Sequence, residues 1–312
     1  MSDAEPFSLH PGAVRRSFDK ASAGYEATAV LQASVADELS GRLDPFELRP
    51  NVVLDLGAGT GRATAALKRK YRQALVIALD LAPGMLEEAR RHQRLFHRFQ
   101  RVCGDANRLP FVDASVDIVF SSLMLQWCNL DWAFAEVRRV LKPEGLFAFS
   151  TFGPDTLMEL RAAWAEADQH HHVHPFMDMH DVGDALVRAG LMEPVLDVER
   201  IQLTYSDVMG LMRDLKGIGA HNLAPGRARG LTGKSRLQKM MAAYEAFRHN
   251  GRLPATYEVV YGVAWGAAGR RGGRAVDGEV RISPKDIIRR SRASALTDRS
   301  AEPHQSSRRG PP

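Results

Sequence analysis

The sequence predicts a doubly wound α/β fold: a seven-stranded, mostly parallel sheet with helices on both faces and a helical cap inserted before the last strand. Three observations carry that prediction. Between residues 51 and 152 the chain alternates short apolar runs with amphipathic stretches. A glycine-rich turn marks the junction of the first strand and first helix. Beyond residue 190, two more strand-like runs flank a long helical stretch.

The runs NVVLDL (51–56), ALVIALD (74–80), RFQRVCGD (98–105), VDIVFSS (116–122) and GLFAFSTF (145–152) read as buried strands, because β-branched and apolar residues occupy both faces. The intervening RATAALKRKY, PGMLEEARRHQRLF and DWAFAEVRRVLKPEG read as helices, the last stopping at Lys-Pro-Glu-Gly. Strand–helix alternation calls for parallel pairing with right-handed crossovers. PVLDVERIQLTYS (194–206) and ATYEVVYGVAW (255–265) supply two further strands, the final pairing expected to be antiparallel. Residues 12–42 read as a helical lid and 205–252 as a helical cap, all within one domain spanning 1–266. Residues 267–312 carry eleven Lys or Arg against five Asp or Glu and few apolar residues, and read as a mostly disordered tail.

Charge and composition narrow the function. The net charge of +5 resides in that tail, whose own balance is +6, so the body stands near −1. A basic stripe for nucleic acid is therefore not expected. No apolar run approaches the ~20 residues of a membrane span, and the N-terminus lacks a signal-peptide pattern, so a cytoplasmic location is expected. Cys103 and Cys128 are too few for a disulfide framework and read as buried small hydrophobes. His170, His171, His172, His174 and His180 lack matching Cys or spaced acids, so they read as a solvated loop and no metal is expected. The run RRHQRLFHRFQR (90–101) reads as a solvated helix face.

The chemistry concentrates at strand ends. Asp55-Leu56-Gly57-Ala58-Gly59-Thr60-Gly61 lets the backbone turn tightly and approach a ligand at a helix N-terminus. The third glycine sits at 61 and Arg62 and Thr64 occupy the positions where a dinucleotide fingerprint needs a small residue, so a pyrophosphate cradle is disfavoured. Asp80 ends the second strand, where a carboxylate accepts ribose hydroxyls. Asp105-Ala106 ends the third, where a carboxylate can accept from an adenine amino group. Each Asp alone could cap its following helix; three along one edge make a nucleoside site.

DLGAGTG, ALD, GDA and VLKPEG at these spacings resemble class I S-adenosylmethionine-dependent methyltransferases over residues 50–152. The resemblance implies S-adenosyl-L-methionine as cofactor, held by Asp55, Gly57, Gly59, Gly61, Asp80, Asp105 and Ala106. SFDKASAGYEATAVLQ, SSLMLQWC and the stretch LKGIGAHNLAPGRARGLTGKSRLQ through GRLPATYEVVYG resemble a narrower family, the malonyl-acyl-carrier-protein O-methyltransferases of biotin synthesis. Similar segments also occur in complex I assembly hydroxylases on the same fold. Gln126, where that group tends to carry His, favours the methyltransferase, and the fold also hosts methyltransferases of other small carboxylates. The resemblance implies a malonyl group on acyl carrier protein, or on coenzyme A, as acceptor. A malonyl carboxylate is ionised at neutral pH and needs no general base. The enzyme must align and desolvate it. Candidates for that work are Tyr25, Gln126 and Trp127, with Lys216, Asn222 or Arg227 as substrate-binding donors from the cap.

Overall fold

The computed structural model describes residues 9–95, 97–220 and 233–267. The tail expected from 267 onward, together with Asn222 and Arg227, lies outside them except for Ala267. Among the described residues, seven strands form one sheet: β1 Val52–Leu56, β2 Leu75–Asp80, β3 Gln100–Cys103, β4 Val116–Ser122, β5 Leu141–Phe152, β6 Met192–Tyr205 and β7 Leu253–Trp265. Their order is β3-β2-β1-β4-β5-β7-β6. The first five run parallel, and β7 inserts antiparallel between β5 and β6.

The helices are α1 Pro11–Ala21, α2 Tyr25–Thr28, α3 Val30–Gly41, α4 Arg62–Lys70, α5 Pro83–Glu88, α6 Leu130–Val140, α7 Met158–Ala165, α8 Met179–Arg188, α9 Val208–Gly217 and α10 Lys234–Tyr244. Period-2 alternation divides even the continuously apolar strands between two faces. Val53, Ile118 and Phe120 pack with α3 and α4 through Val35, Leu39 and Leu67. Leu54, Val119, Phe147 and Phe149 pack on the opposite face with Phe134, Val137 and Leu186 of α6 and α8. Phe147 and Phe149 stack at 4.9 Å.

Helix α6 illustrates why these segments fold as they do. The Asn129 side chain caps it by accepting from Trp132 N at 3.1 Å. Leu130, Ala133, Phe134, Val137 and Val140 then make one buried stripe at helical spacing. The helix ends at Val140 rather than at the expected Lys-Pro-Glu-Gly. Pro143 disfavours helical geometry at Lys142, and β5 already begins at Leu141.

Helix α5 is also shorter than expected. It tightens into a 3-10 turn over Ala89–His92, and the Gln93 side chain closes the following loop by donating to Phe99 O at 2.8 Å. The charge-rich run at 90–101 is therefore mainly turn, loop and the β3 edge, not a helix face.

Candidate active site

The site grows from the carboxyl ends of β1 and β2. Past Leu56 the parallel ladder is continued by Gly57 N and Ala58 N, which both donate to Leu79 O at 2.8 and 3.0 Å. The chain must then leave the sheet sharply, and Gly57, Gly59 and Gly61 do so at φ of +78°, +53° and +79°. At Gly57 a Cβ would fall 2.1 Å from Met124 Cγ, and at Gly61 it would fall 2.7 Å from Ala89 Cβ. Gly59 differs: a Cβ there would meet nothing within 4 Å. Its side-chain position points into open space at the cleft.

Asp80 organises this loop. Its Oδ2 accepts from Gly59 N at 2.8 Å and its Oδ1 from Ala82 N at 2.8 Å. Each oxygen keeps acceptor capacity for a ligand. Burial pushes the carboxyl up to about 6, against the pull of these amides. Asp55 stands behind the loop, fully buried on β1, where Thr64 Oγ1 donates to its Oδ2 at 2.5 Å. Burial, reinforced by Asp80, raises it to about 7.

Together these groups floor a cleft of about 450 Å³ bordered by Gly57, Gly59, Asp80, Asp105, Ala106 and Met124. Its other wall comes from the N-terminal segment, through Val14, Phe18 and Tyr25, and from Trp127. Contacts from three other parts of the chain help hold that segment in place. Gly84 N donates to Asp19 Oδ1 at 2.8 Å, Ser17 Oγ donates to Gly219 O at 2.8 Å, and Thr60 Oγ1 donates to Glu26 Oε1 at 2.8 Å. Burial and the nearby Asp80 hold the Tyr25 hydroxyl above its ordinary pKa, so it stays a proton donor. Phe18 meets Trp127 edge-on at 5.3 Å.

The expected site residues thus separate. Tyr25, Gly57, Gly59, Asp80, Asp105, Ala106 and Trp127 border the cleft. Gly61 is packed under Ala89, and Asp55 supports the loop from behind. Gln126 turns away: its amide donates to Leu123 O at 2.7 Å and accepts from Thr151 Oγ1 at 3.3 Å. It borders a separate small cavity beside Thr151 and Phe176. Lys216 is exposed at the end of α9 and borders none of these cavities.

Two readings of single residues change. Cys103 is exposed at the end of the short edge strand β3, not buried. Cys128 borders the cleft, and burial with Asp105 and Asp80 nearby pushes its thiol up to about 12, leaving it protonated and inert. The histidines are not uniformly a solvated loop. His172 stacks on Trp164 at 3.7 Å and pairs with Asp168 at 2.8 Å, while His174 is buried against Trp127. Sequence reading missed Met124 and His174. The apolar neighbours of His174, Val173 and Pro175-Phe176, were the available signal.

Comparison with known proteins bears on the family and the fold. A family described as methyltransferase domain matches residues 54–149. A malonyl-[acyl-carrier protein] O-methyltransferase from Methylovorus sp. is 55% identical over 84% of this chain and 91% of its own length. A protein of the same name from Halorhodospira halophila is 50% identical over 94% of this chain and 100% of its own. Among solved structures, the YcgJ protein of Bacillus subtilis superposes with a TM-score of 0.53 at 19% identity, over 74% of this chain and 98% of its own, a likeness of fold.

Proposed function

We propose that this chain, which belongs to the malonyl-[acyl-carrier protein] O-methyltransferase family, transfers a methyl group to the free carboxylate of a malonyl thioester, an early step of biotin synthesis. The observation that carries the reading is Asp80, fixed by two backbone amides at the floor of a cleft where Gly59 leaves room for a ligand. That arrangement fits a nucleoside with a cationic centre. Asp80 has acceptor capacity for vicinal hydroxyls, Asp105 and Ala106 lie where an adenine would rest, and Gly59 admits a close chain. S-adenosyl-L-methionine, when bound there, supplies an electrophilic methyl on a sulfonium.

The residues of this chain do the rest by binding, orienting and excluding water. Among the described residues, no Lys or Arg borders the 450 Å³ cleft. The acceptor carboxylate there meets neutral donor types, the Tyr25 hydroxyl, the Trp127 indole N–H and the Asn129 amide. Neutral donors orient a carboxylate without neutralising it, so its attacking oxygen keeps its charge in a poorly solvated site. No base is required, because the nucleophile arrives ionised. Val14, Phe18 and Trp127 keep water from that side. The reading places the reaction in the cytoplasm, with acyl carrier protein or coenzyme A as bearer of the malonyl group and neither nucleic acid nor membrane as partner.

The test is methyl transfer from labelled S-adenosylmethionine to malonyl, acetyl and succinyl thioesters. Malonyl thioesters should be methylated. Acetyl thioesters, which lack the nucleophile, should be inert, and succinyl thioesters, one methylene longer, should react more slowly. Equal turnover of all three would overturn the proposal.

A further inference from the structure

Tyr25 reaches the cleft from an element too small to hold it there alone. Helix α2 is a single turn, Tyr25–Thr28, with none of its residues buried and, among the described residues, no side-chain cap at Gly24. A helix that short has no stability of its own, because the cost of the first turn is offset only by propagation or by tertiary contacts. Ala29 N and Thr28 Oγ1 donate to Tyr25 O at 2.9 and 3.2 Å and close the turn internally. Those bonds fix its shape and leave its direction open.

The direction is set by the next residue. Glu26 Oε1 accepts from Thr60 Oγ1 at 2.8 Å and pairs with His92 Nε2 at 2.5 Å. Thr60 lies in the glycine loop and is 5% exposed, and His92 ends the 3-10 turn after α5. One carboxylate oxygen thus ties α2 to two separate parts of the nucleoside half. Partial burial opposes its ionisation, but His92 and Thr60, with the Arg62 charge nearby, outweigh that and hold the carboxyl below its ordinary range. Arg62 itself is committed to Asp37, at 2.7 and 2.9 Å, and adds only its field. Thr60 follows Gly59, whose N–H donates to Asp80. The path Tyr25, Glu26, Thr60, Gly59, Asp80 then closes on itself, since burial and the nearby Asp80 together raise the Tyr25 hydroxyl.

We propose that Glu26 is a positioning residue: by binding Thr60 and His92 it holds α2 so that the Tyr25 hydroxyl stands in the cleft and donates to the acceptor carboxylate. The proposal rests on the malonyl thioester reading given above. Among the described residues that border the 450 Å³ cleft, Tyr25 is included and Glu26 is not, so Glu26 acts through its neighbour and not on the reacting atoms. The Glu26 and His92 side chains are 50% and 29% exposed, and a pair so exposed adds little to the stability of the whole fold. Its effect is local, on where one hydroxyl stands. Placement matters there, because a misplacement of about 1 Å can cost on the order of a hundredfold in rate.

The experiment is a double-mutant cycle on the full chain, with malonyl carrier protein as acceptor. Tyr25→Phe, which removes the donor and keeps the ring, should lower kcat/KM at least about tenfold. Glu26→Ala should cause a similar loss. The double variant should be no worse than Tyr25→Phe alone, to within about twofold, because a hydroxyl already removed cannot be misplaced. Glu26→Gln keeps an acceptor oxygen for Thr60 and should recover most of the activity. Thr60→Val, which removes one donor from the other side, should cause a smaller loss that also vanishes in the Tyr25→Phe background, and it carries the test if Glu26→Ala does not fold. Losses that multiply in the double variants would overturn the proposal, since a general weakening of the structure acts independently of the Tyr25 hydroxyl. A Glu26→Ala enzyme as active as wild type would overturn it too, as would a Tyr25→Phe enzyme as active as wild type or a Glu26→Gln enzyme as poor as Glu26→Ala. A wild type unable to methylate any malonyl thioester refutes the functional reading and the positioning role with it, whereas turnover with independent losses refutes the positioning role only.

Discussion

Replacing Gly59 by Ala separates the cost of the loop's shape from the cost of filling ligand space. The residue sits at φ +53°, where an L side chain adds roughly 1–2 kcal/mol of strain. Nothing else opposes the methyl group, since no heavy atom lies within 4 Å of its position. For a domain of this size about 2–4 °C accompanies each kcal/mol, so Gly59→Ala should melt about 2–8 °C below wild type by calorimetry. With S-adenosylmethionine bound, the methyl competes for cleft volume. Overpacking costs about 1–3 kcal/mol, a rise of roughly 5- to 150-fold in Kd by titration calorimetry. Gly57→Ala is the contrast: its Cβ would lie 2.1 Å from Met124 Cγ, so it should fail on stability first. A Gly59→Ala protein with wild-type affinity would show that the cofactor does not lie against this loop.

Two further outcomes follow from the carboxylates. Burial holds Asp80 at about 6 in the free protein, and a cationic ligand favours its charged form, so affinity for S-adenosylmethionine should strengthen as pH rises from 5 to 7 and then level off. Asp80→Asn should bind at least about tenfold more weakly, from the loss of charge-assisted hydrogen bonds, and should lose the pH slope; an unchanged slope would remove Asp80 from the site. Asp55 has its folded pKa raised to about 7, above the unfolded value near ~3.9. Its stabilising contribution is complete below that unfolded value and is lost as pH rises through 7. The free protein should therefore melt lower at pH 7.5 than at pH 5, and Asp55→Asn, titrated alongside, should flatten that difference.

Legibility followed the reach of the forces involved. Strands β1, β2 and β4 were readable because a sheet covered on both faces demands near-continuous apolar runs, and Leu75–Leu79 is one. Gly57, Gly59 and Asp80 were readable because positive φ and a strand-end carboxylate each restrict residue type at one position. Gln126 was not readable: in a 3-10 turn over Leu125–Trp127, neighbouring side chains face different cavities, and the turn's orientation is set by Ser150 and Thr151 on another strand. His174 was hidden for a similar reason. A string of histidines scores as polar, and the distant Trp127 joins Phe176 in making that position interior. The end of α6 was misjudged because Pro143 acts on the residue before it, one step earlier than the visible Pro-Glu-Gly turn.

The antiparallel pairing of β6 with β7 closes at a rung joining Tyr205 to Leu253. Residues 206–252 therefore leave the sheet and re-enter it at one point, as the contents of a hairpin loop. Doubling the length of a flexible loop costs only about 0.6 kcal/mol in closure entropy. A change of length within this segment alters no strand pair, and the floor built by Gly57, Gly59 and Asp80 lies at β1 and β2, on the far side of β4 and β5 from that rung. That rung is a splice point: the insert can be resized without disturbing the strands that carry Gly57, Gly59 and Asp80, so long as Gly219 still meets Ser17 at the N-terminal wall of the cleft.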